Sequence, residues 1–147
     1  MNKVNANGLT EAEFLAQYNP GDYERPSVTV DMMVIRMKKD LSCMQILLIK
    51  RKDHPCIDEW ALPGGFINMD ESAYEAAARE LEEEGGVKAG KLKLLHVIYP
   101  TPGYTNEKIY LYQAFDCTYC AAHLDEDEFL TAEFIPLEKV KQMLQNG

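Results

Sequence analysis

Residues 65–87 read GFINMDESAYEAAARELEEEGGV, a stretch that carries both the start and the end signals of a helix. Ser72 and Glu75 have the spacing of a capping box, with Asp70 as an alternative first cap, and a run of alanines follows them. A pair of glycines at the end of the stretch favours helix termination. The pattern therefore predicts one helix between the capping box and the two glycines.

The last turns of this predicted helix are strongly acidic. Helical spacing crowds Glu80, Glu83 and Glu84 on one face. The residues expected to turn inward are Tyr74, Ala77, Ala78 and Leu81. Acidic side chains at the carbonyl end of a helix are disfavoured by ~0.3–1 kcal/mol each, so the pattern calls for a compensating cation. Mg²⁺ fits because it prefers oxygen ligands and bridges carboxylates to phosphates. The alternative interpretation is a solvated acidic face.

Composition sets limits on the class of protein. A chain of 147 residues with 46% apolar residues predicts one domain over 1–147, in which 1–26 form an N-terminal helix and a lead-in segment. The first residues lack the apolar core of a signal peptide, and no apolar run is long enough to span a bilayer. We therefore expect a soluble, cytoplasmic protein with no membrane partner. The net charge of −9 argues against nucleic acid as a partner.

The cysteines offer a weak signal for metal. Cys117 and Cys120 have the spacing of a zinc-binding pair, but Cys43 and Cys56 are thirteen positions apart and provide no second close pair. Reduced thiols in an intracellular protein are the better interpretation.

Apolar periodicity predicts the elements around the acidic helix. They are a helix at 10–18, strands at 27–37, 45–51, 91–99, 108–117 and 132–135, and a final helix at 136–145. Strands that dominate between two helices predict a mixed β-sheet with a helix packed on each face. The fold class is therefore α/β in the broad sense, or α+β.

The spacing within the acidic stretch resembles the signature of the Nudix hydrolases, which split nucleoside diphosphates linked to another moiety. The matching positions are Gly65, Glu71, Arg79, Glu80, Leu81, Glu83, Glu84, Gly86 and Val87. The likeness extends upstream through 60–65, and a match at this many fixed positions is specific. It implies a Nudix-type α/β/α sandwich and a pyrophosphohydrolase of nucleotide-derived small molecules.

The resemblance also implies a metal site. The carbonyl of Gly64, together with Glu80, Glu83 and Glu84, would hold Mg²⁺, with Mn²⁺ as a substitute. A glycine carbonyl suits this role because the absence of a side chain allows close approach. One glutamate would act as general base, and Glu83 and Glu80 both remain candidates. Arg79 is expected to support a carboxylate rather than to contact phosphate.

A second candidate for the base lies far from the helix. Some family members take their base from a loop, and residues 125–128 are acidic here, which makes Glu128 a candidate catalytic residue. A solvated acidic loop is the alternative interpretation.

The substrate is suggested by a turn further along the chain. Pro102, Gly103 and Tyr104 resemble an element of ADP-ribose pyrophosphatases, and with Arg51 they are candidate substrate-binding residues. ADP-ribose would yield AMP and ribose 5-phosphate. Two alternatives stay open. One is a pyrophosphohydrolase of oxidised nucleoside triphosphates. The other is a non-catalytic ADP-ribose sensor, because residues 23–31 resemble the start of Nudix-like regulators of NAD metabolism. A homodimer is possible in each case.

Overall fold

A computed structural model of the chain describes residues 4–5, 7–17, 28–54, 56–121 and 130–146. Within these ranges the helices are α1 (Glu11–Gln17), α2 (Ala73–Glu83) and α3 (Leu137–Asn146). The strands are β1 (Val28–Met33), β2 (Ile35–Met37), β3 (Met44–Arg51), β4 (Trp60–Ala61), β5 (Gly64–Phe66), β6 (Val87–Lys88), β7 (Lys91–Ile98), β8 (Lys108–Phe115), β9 (Thr118–Tyr119) and β10 (Leu130–Pro136). No helix in this part of the chain has the length and apolar character needed to cross a membrane.

The strands form two main sheets. A four-stranded mixed sheet has the order β5-β1-β8-β7, in which β1 and β8 run parallel and the other pairs are antiparallel. A second, antiparallel sheet has the order β10-β3-β2, with β4 also paired to β3, and β6 pairs with β9. Helix α2 packs on the mixed sheet and α3 on the second sheet. The predicted α/β class with a mixed sheet is confirmed, and the two helices cover different sheets.

The prediction of one strand at 27–37 is wrong, because the chain changes sheets inside it. β1 belongs to the mixed sheet and β2 to the second sheet, and buried Val34 lies between them. The Val34 carbonyl accepts a hydrogen bond from the Leu47 N–H at 3.0 Å, which fixes the crossing point. The sequence around Val34 is a run of four apolar residues, Met32 to Ile35, which carries no signal for a change of sheet, so only the pairing partners reveal it.

Two apolar clusters form the core. The larger one lies between α2 and the mixed sheet and contains Val30 and Met32 of β1 together with Leu81 of α2. The smaller one joins the second sheet to α3 through Ile46, Leu48 and Ile135, with Leu137 and Val140 packed against it.

The inward face of α2 differs from the prediction. Its buried residues are Ala76, Ala77, Glu80 and Leu81, followed by buried Glu84 at the C-cap. Tyr74 is instead 49% exposed, and its ring meets the edge of Tyr112. Ala78 is only half-buried against the core. The buried stripe is therefore rotated so that two glutamates share it with the apolar residues.

Candidate active site

Helix α2 begins with a capping box. Ser72 is the N-cap, and its hydroxyl accepts the Glu75 N–H at 3.3 Å while the Glu75 carboxylate accepts the Ser72 N–H at 2.8 Å. The predicted capping box is thus confirmed, with Ser72 rather than Asp70 in the capping position. At the other end Gly86 has a φ of 58°, in the left-handed region that favours glycine, and stops the helix.

Strand β5 brings a backbone edge to the acidic end of α2. It lies at the edge of the mixed sheet, and the Gly64 N–H donates to Glu84 Oε2 at 2.7 Å. On its other side this segment bonds to β1, where the Met32 N–H donates to the Pro63 carbonyl at 2.8 Å. Since one residue of an antiparallel pair directs its N–H and C=O to the same side, the Gly64 carbonyl also faces the open edge of β5.

Both glycines of β5 are in close contact with neighbouring atoms. A Cβ on Gly65 would lie 2.4 Å from Glu80 Oε1, and a Cβ on Gly64 would lie 2.2 Å from the Val30 carbonyl oxygen. The Glu80 carboxylate therefore packs directly against the backbone of β5. The two glycines allow α2 and β5 to approach closely. Carboxylate oxygens of the helix therefore lie near the backbone of the strand.

Arg79 links the glutamates around this edge. Its Nη1 donates to Glu80 Oε1 and to Glu83 Oε2, each at 2.9 Å. Its Nη2 donates to Glu71 Oε1 at 2.6 Å and to the Phe66 carbonyl at 3.1 Å, and its Nε donates to Glu71 Oε2 at 3.2 Å. The hydrogen bond from Arg79 is the main reason that the pKa of Glu71 is lowered. The same contact is the main reason that the pKa of Arg79 is raised.

Among the residues that the structure describes, the carboxylates at this site outnumber the guanidinium of Arg79. Glu80 and Glu84 are only 6% and 5% exposed, and Glu83 is half-buried. Buried carboxylates are costly unless ions or donors compensate them, and one guanidinium serves several of them here. All the candidate ligands offer oxygen atoms, which is the donor set that Mg²⁺ prefers. Among the described residues no three carboxylate, imidazole or thiol side chains already form a metal cage. The metal role of Gly64 and the glutamates stays a prediction.

Asp31 is a further acidic residue at this place, and sequence reasoning missed it. It lies on β1 opposite Gly64, and its Oδ1 lies 2.6 Å from the position that a Cβ on Gly64 would take. Burial raises the pKa of Asp31. A single aspartate between Val30 and Met32 carries no local signal, since its closeness to Gly64 depends on the pairing of β1 with β5.

The other predicted residues lie elsewhere. Pro102, Gly103 and Tyr104 form an exposed turn, in which Tyr104 is 95% exposed and its N–H donates to the Thr101 carbonyl. Arg51 is half-buried at the end of β3. Glu128 and the acidic loop lie outside the described residues. All four cysteines are free thiols, and Cys117 and Cys120 are exposed.

Fold and site together define an α+β domain in which an acidic helix end meets a diglycine at a sheet edge. The family model of the NUDIX domain matches residues 25–147, and the chain belongs to this family.

Relatives and solved structures agree with this assignment. The chain is 39% identical over 92 residues to the ADPR responsive transcriptional repressor NtrR of Acinetobacter baylyi, covering 61% of this chain and 36% of the relative. It is 41% identical over 80 residues to an ADP-ribose pyrophosphatase of Methanocaldococcus jannaschii, covering 54% of this chain and 43% of the relative. The matches thus span less than half the length of these curated relatives. The NUDIX domain of Shewanella oneidensis NrtR, solved with ADP ribose, superposes with a TM-score of 0.61 at 27% identity, covering 91% of this chain and 88% of that one.

Proposed function

We propose that this chain is a Mg²⁺-dependent pyrophosphohydrolase that cleaves the diphosphate of a nucleoside-diphosphate-linked substrate, with ADP-ribose as the preferred one. The observation that carries the proposal is the meeting of Glu80 and Glu84 with the open edge of β5 at Gly64 and Gly65. The choice of ADP-ribose is supported by the similarity to a protein named ADP-ribose pyrophosphatase and to a NUDIX domain solved with ADP ribose.

The residues that would hold the metal are the Gly64 carbonyl and the carboxylates of Glu80, Glu83 and Glu84. When bound, Mg²⁺ neutralises charge on the diphosphate oxygens and lowers the pKa of bound water. The negative balance of the site supports this role, since a cation among these carboxylates offsets their mutual repulsion and their loss of hydration.

Glu83 is the better candidate for general base. Its side chain is 30% exposed against 8% for Glu80, so a water molecule can reach the carboxylate oxygen that Arg79 does not hold. The water oxygen would form a bond to phosphorus while Glu83 takes up a proton of that water. The bond to the bridging oxygen would break, and this oxygen would leave on the other phosphate with the bonding electrons. Arg79 acts as a positioning residue, because the same Nη1 holds both Glu80 and Glu83. Glu71 in turn fixes Arg79 through two contacts.

The proposal is tested by a substrate panel read out by product identity. ADP-ribose, nucleotide sugars, dinucleotides and 8-oxo-dGTP are incubated with the full chain and Mg²⁺, with EDTA as the control. AMP and ribose 5-phosphate from ADP-ribose support the proposal. Pyrophosphate and a monophosphate as the dominant products would identify a triphosphate pyrophosphohydrolase instead. Absence of metal-dependent turnover on the whole panel would overturn the proposed activity.

A non-catalytic ADP-ribose sensor is the second candidate. It is favoured by the similarity to the transcriptional repressor NtrR, whose name describes a response to ADPR. Calorimetry with ADP-ribose and Ca²⁺ measures binding separately from turnover. Tight binding without hydrolysis in Mg²⁺ would select the sensor. The cytoplasmic location, the absence of a nucleic-acid partner, the homodimer and the use of Mn²⁺ stay predictions.

A further inference from the structure

Asp31 lies on the face of the mixed sheet that α2 does not cover. Its neighbours Val30 and Met32 are fully buried in the core beneath α2. Successive strand residues point to opposite faces, so Asp31 faces away from the helix. The parallel pair of β1 and β8 agrees: Met32 is in register with Tyr112 of the same core, while Asp31 is in register with Leu111.

The surroundings of Asp31 are half-buried and contain both apolar and polar side chains. Leu111 and Gly64 are its register partners on the two sides. On the same face Ile109, Thr29 and Gln113 are half-buried, and Met33 packs against the smaller apolar cluster. In the part of the chain that the structure describes, no donor or cation contacts the Asp31 carboxylate. A carboxylate partly withdrawn from water is costly without a donor, so a ligand that supplies one is favoured here.

Asp31 is also next to the proposed diphosphate site. Its Oδ1 lies beside Gly64 on one face of β5, and the N–H of the same glycine holds Glu84. The Glu80 carboxylate meets the opposite face of β5 at Gly65. Neighbouring strands lie about 4.8 Å apart, so a diphosphate at the edge of β5 leaves its nucleoside within reach of Asp31.

We propose that Asp31 is a specificity-determining residue that accepts a hydrogen bond from the nucleoside part of the substrate. The donor is an amino or ring N–H group of the base, or a ribose hydroxyl. Leu111 and Ile109 provide an apolar surface for the flat base, while Asp31 selects for a donor at one position. This inference rests on the proposed function and adds how that site chooses its substrate.

The first test separates binding from chemistry. In Asp31→Leu the acceptor is removed while the volume is kept, and in Asp31→Asn an amide donor replaces one of its oxygens. We expect KM for ADP-ribose to rise about tenfold or more in Asp31→Leu, the loss expected for one hydrogen bond to a charged group, with kcat within about twofold of wild type. Glu133→Gln, on exposed Glu133 of β10, removes the same charge on the other sheet and is expected to leave both constants unchanged.

The second test identifies the donor. ADP-ribose analogues that lack the adenine amino group or one ribose hydroxyl are assayed on wild type and Asp31→Leu. The analogue that lacks the contacted donor should bind wild type more weakly and show no further loss in the variant. Such coupling with either analogue supports the proposal and names the source of the donor. Equal losses in both proteins for every analogue, or a fall in kcat with KM unchanged, would overturn it.

Binding is also measured without turnover. Calorimetry with ADP-ribose and Ca²⁺ on wild type and Asp31→Leu reports affinity even if wild type hydrolyses no diphosphate. If wild type hydrolyses no diphosphate, the proposed enzyme activity fails, but a lower affinity in the variant would still support the role of Asp31. Equal affinities in a folded variant would overturn the role of Asp31 and leave the enzyme activity intact.

Discussion

Helices α2 and α3 have 11 and 10 residues, each packs on its own sheet, and each pairs a cation with glutamates. In α3, Lys141 and Glu138 are 2.6 Å apart, with side chains 66% and 79% exposed. In α2, Arg79 meets glutamates with side chains as little as 8% exposed. An exposed pair contributes about 0–1 kcal/mol, whereas a buried group of charges is costly to assemble. The difference shows that the charges of α2 are not explained by stability and indicate a functional site.

The strongest effect we predict is a loss of turnover that occurs on substitution in α2 and not in α3. Glu83→Gln should lower kcat by ~10²–10⁴-fold, because the proton acceptor is lost. The melting temperature should change little, since Gln can still accept the Arg79 hydrogen bond. The matched control is Glu138→Gln on α3, with kcat expected to stay at the wild-type value. A fully active Glu83→Gln variant would contradict the role of Glu83 as base.

The next effect concerns stability. Arg79→Met leaves several carboxylates without their guanidinium and should lower the free energy of unfolding by about 3 kcal/mol in EDTA. Lys141→Met on α3 should cost less than about 1 kcal/mol. Urea unfolding measures both variants with and without Mg²⁺. We expect Mg²⁺ to restore part of the loss in Arg79→Met and none in Lys141→Met. Equal losses in the two variants would remove the contrast between the helices.

The two glycines of β5 should differ in how their substitution affects stability and activity. The Cβ of Gly64→Ala meets a backbone oxygen, so this change should cost about 1–3 kcal/mol of stability. The Cβ of Gly65→Ala meets the end of the Glu80 side chain, which can turn aside. We expect that variant to keep most of its stability, within about 1 kcal/mol, and to lose activity. Thermal melts and turnover assays compare the two, and a Gly65→Ala variant with full activity would argue against a role for the position of Glu80.

A smaller effect tests the start of α2. Ser72→Ala removes the N-cap acceptor and should cost about 1 kcal/mol of unfolding free energy. Turnover of the folded variant at low temperature should stay near wild type, since Ser72 makes no contact with Glu80, Glu83 or Glu84 that would be lost. A large fall in kcat at full folding would show that the cap also sets the site.

The smallest effect is a dependence of stability on pH. Because the pKa of Glu71 is lowered in the fold, chiefly by Arg79, its contribution is complete above the unfolded value of 4.5 and is lost as pH falls through the folded pKa. Urea midpoints between pH 7 and pH 3 should therefore fall more for wild type than for Glu71→Gln. Parallel curves would contradict this linkage.

Local signals predicted the parts that depend on neighbours in sequence. The capping box of Ser72 and Glu75 and the glycine end of α2 follow from short-range hydrogen bonding and backbone freedom, and both are confirmed. The prediction that Tyr74 turns inward is wrong. An aromatic ring can lie along the rim of a core, and helical periodicity does not distinguish a rim position from a buried one. Asp31 was out of reach, since its relation to Gly64 is created by strand pairing across more than thirty positions.

The crossing at Val34 ties the two halves of the molecule together. One short segment supplies β1 to the mixed sheet and β2 to the second sheet, with a single buried residue between them. Separation of this segment from one sheet would therefore disturb its pairing in the other sheet. We therefore expect the two sheets to open together as one cooperative unit, since Met33, two positions from Asp31, packs against the apolar cluster that joins the second sheet to α3.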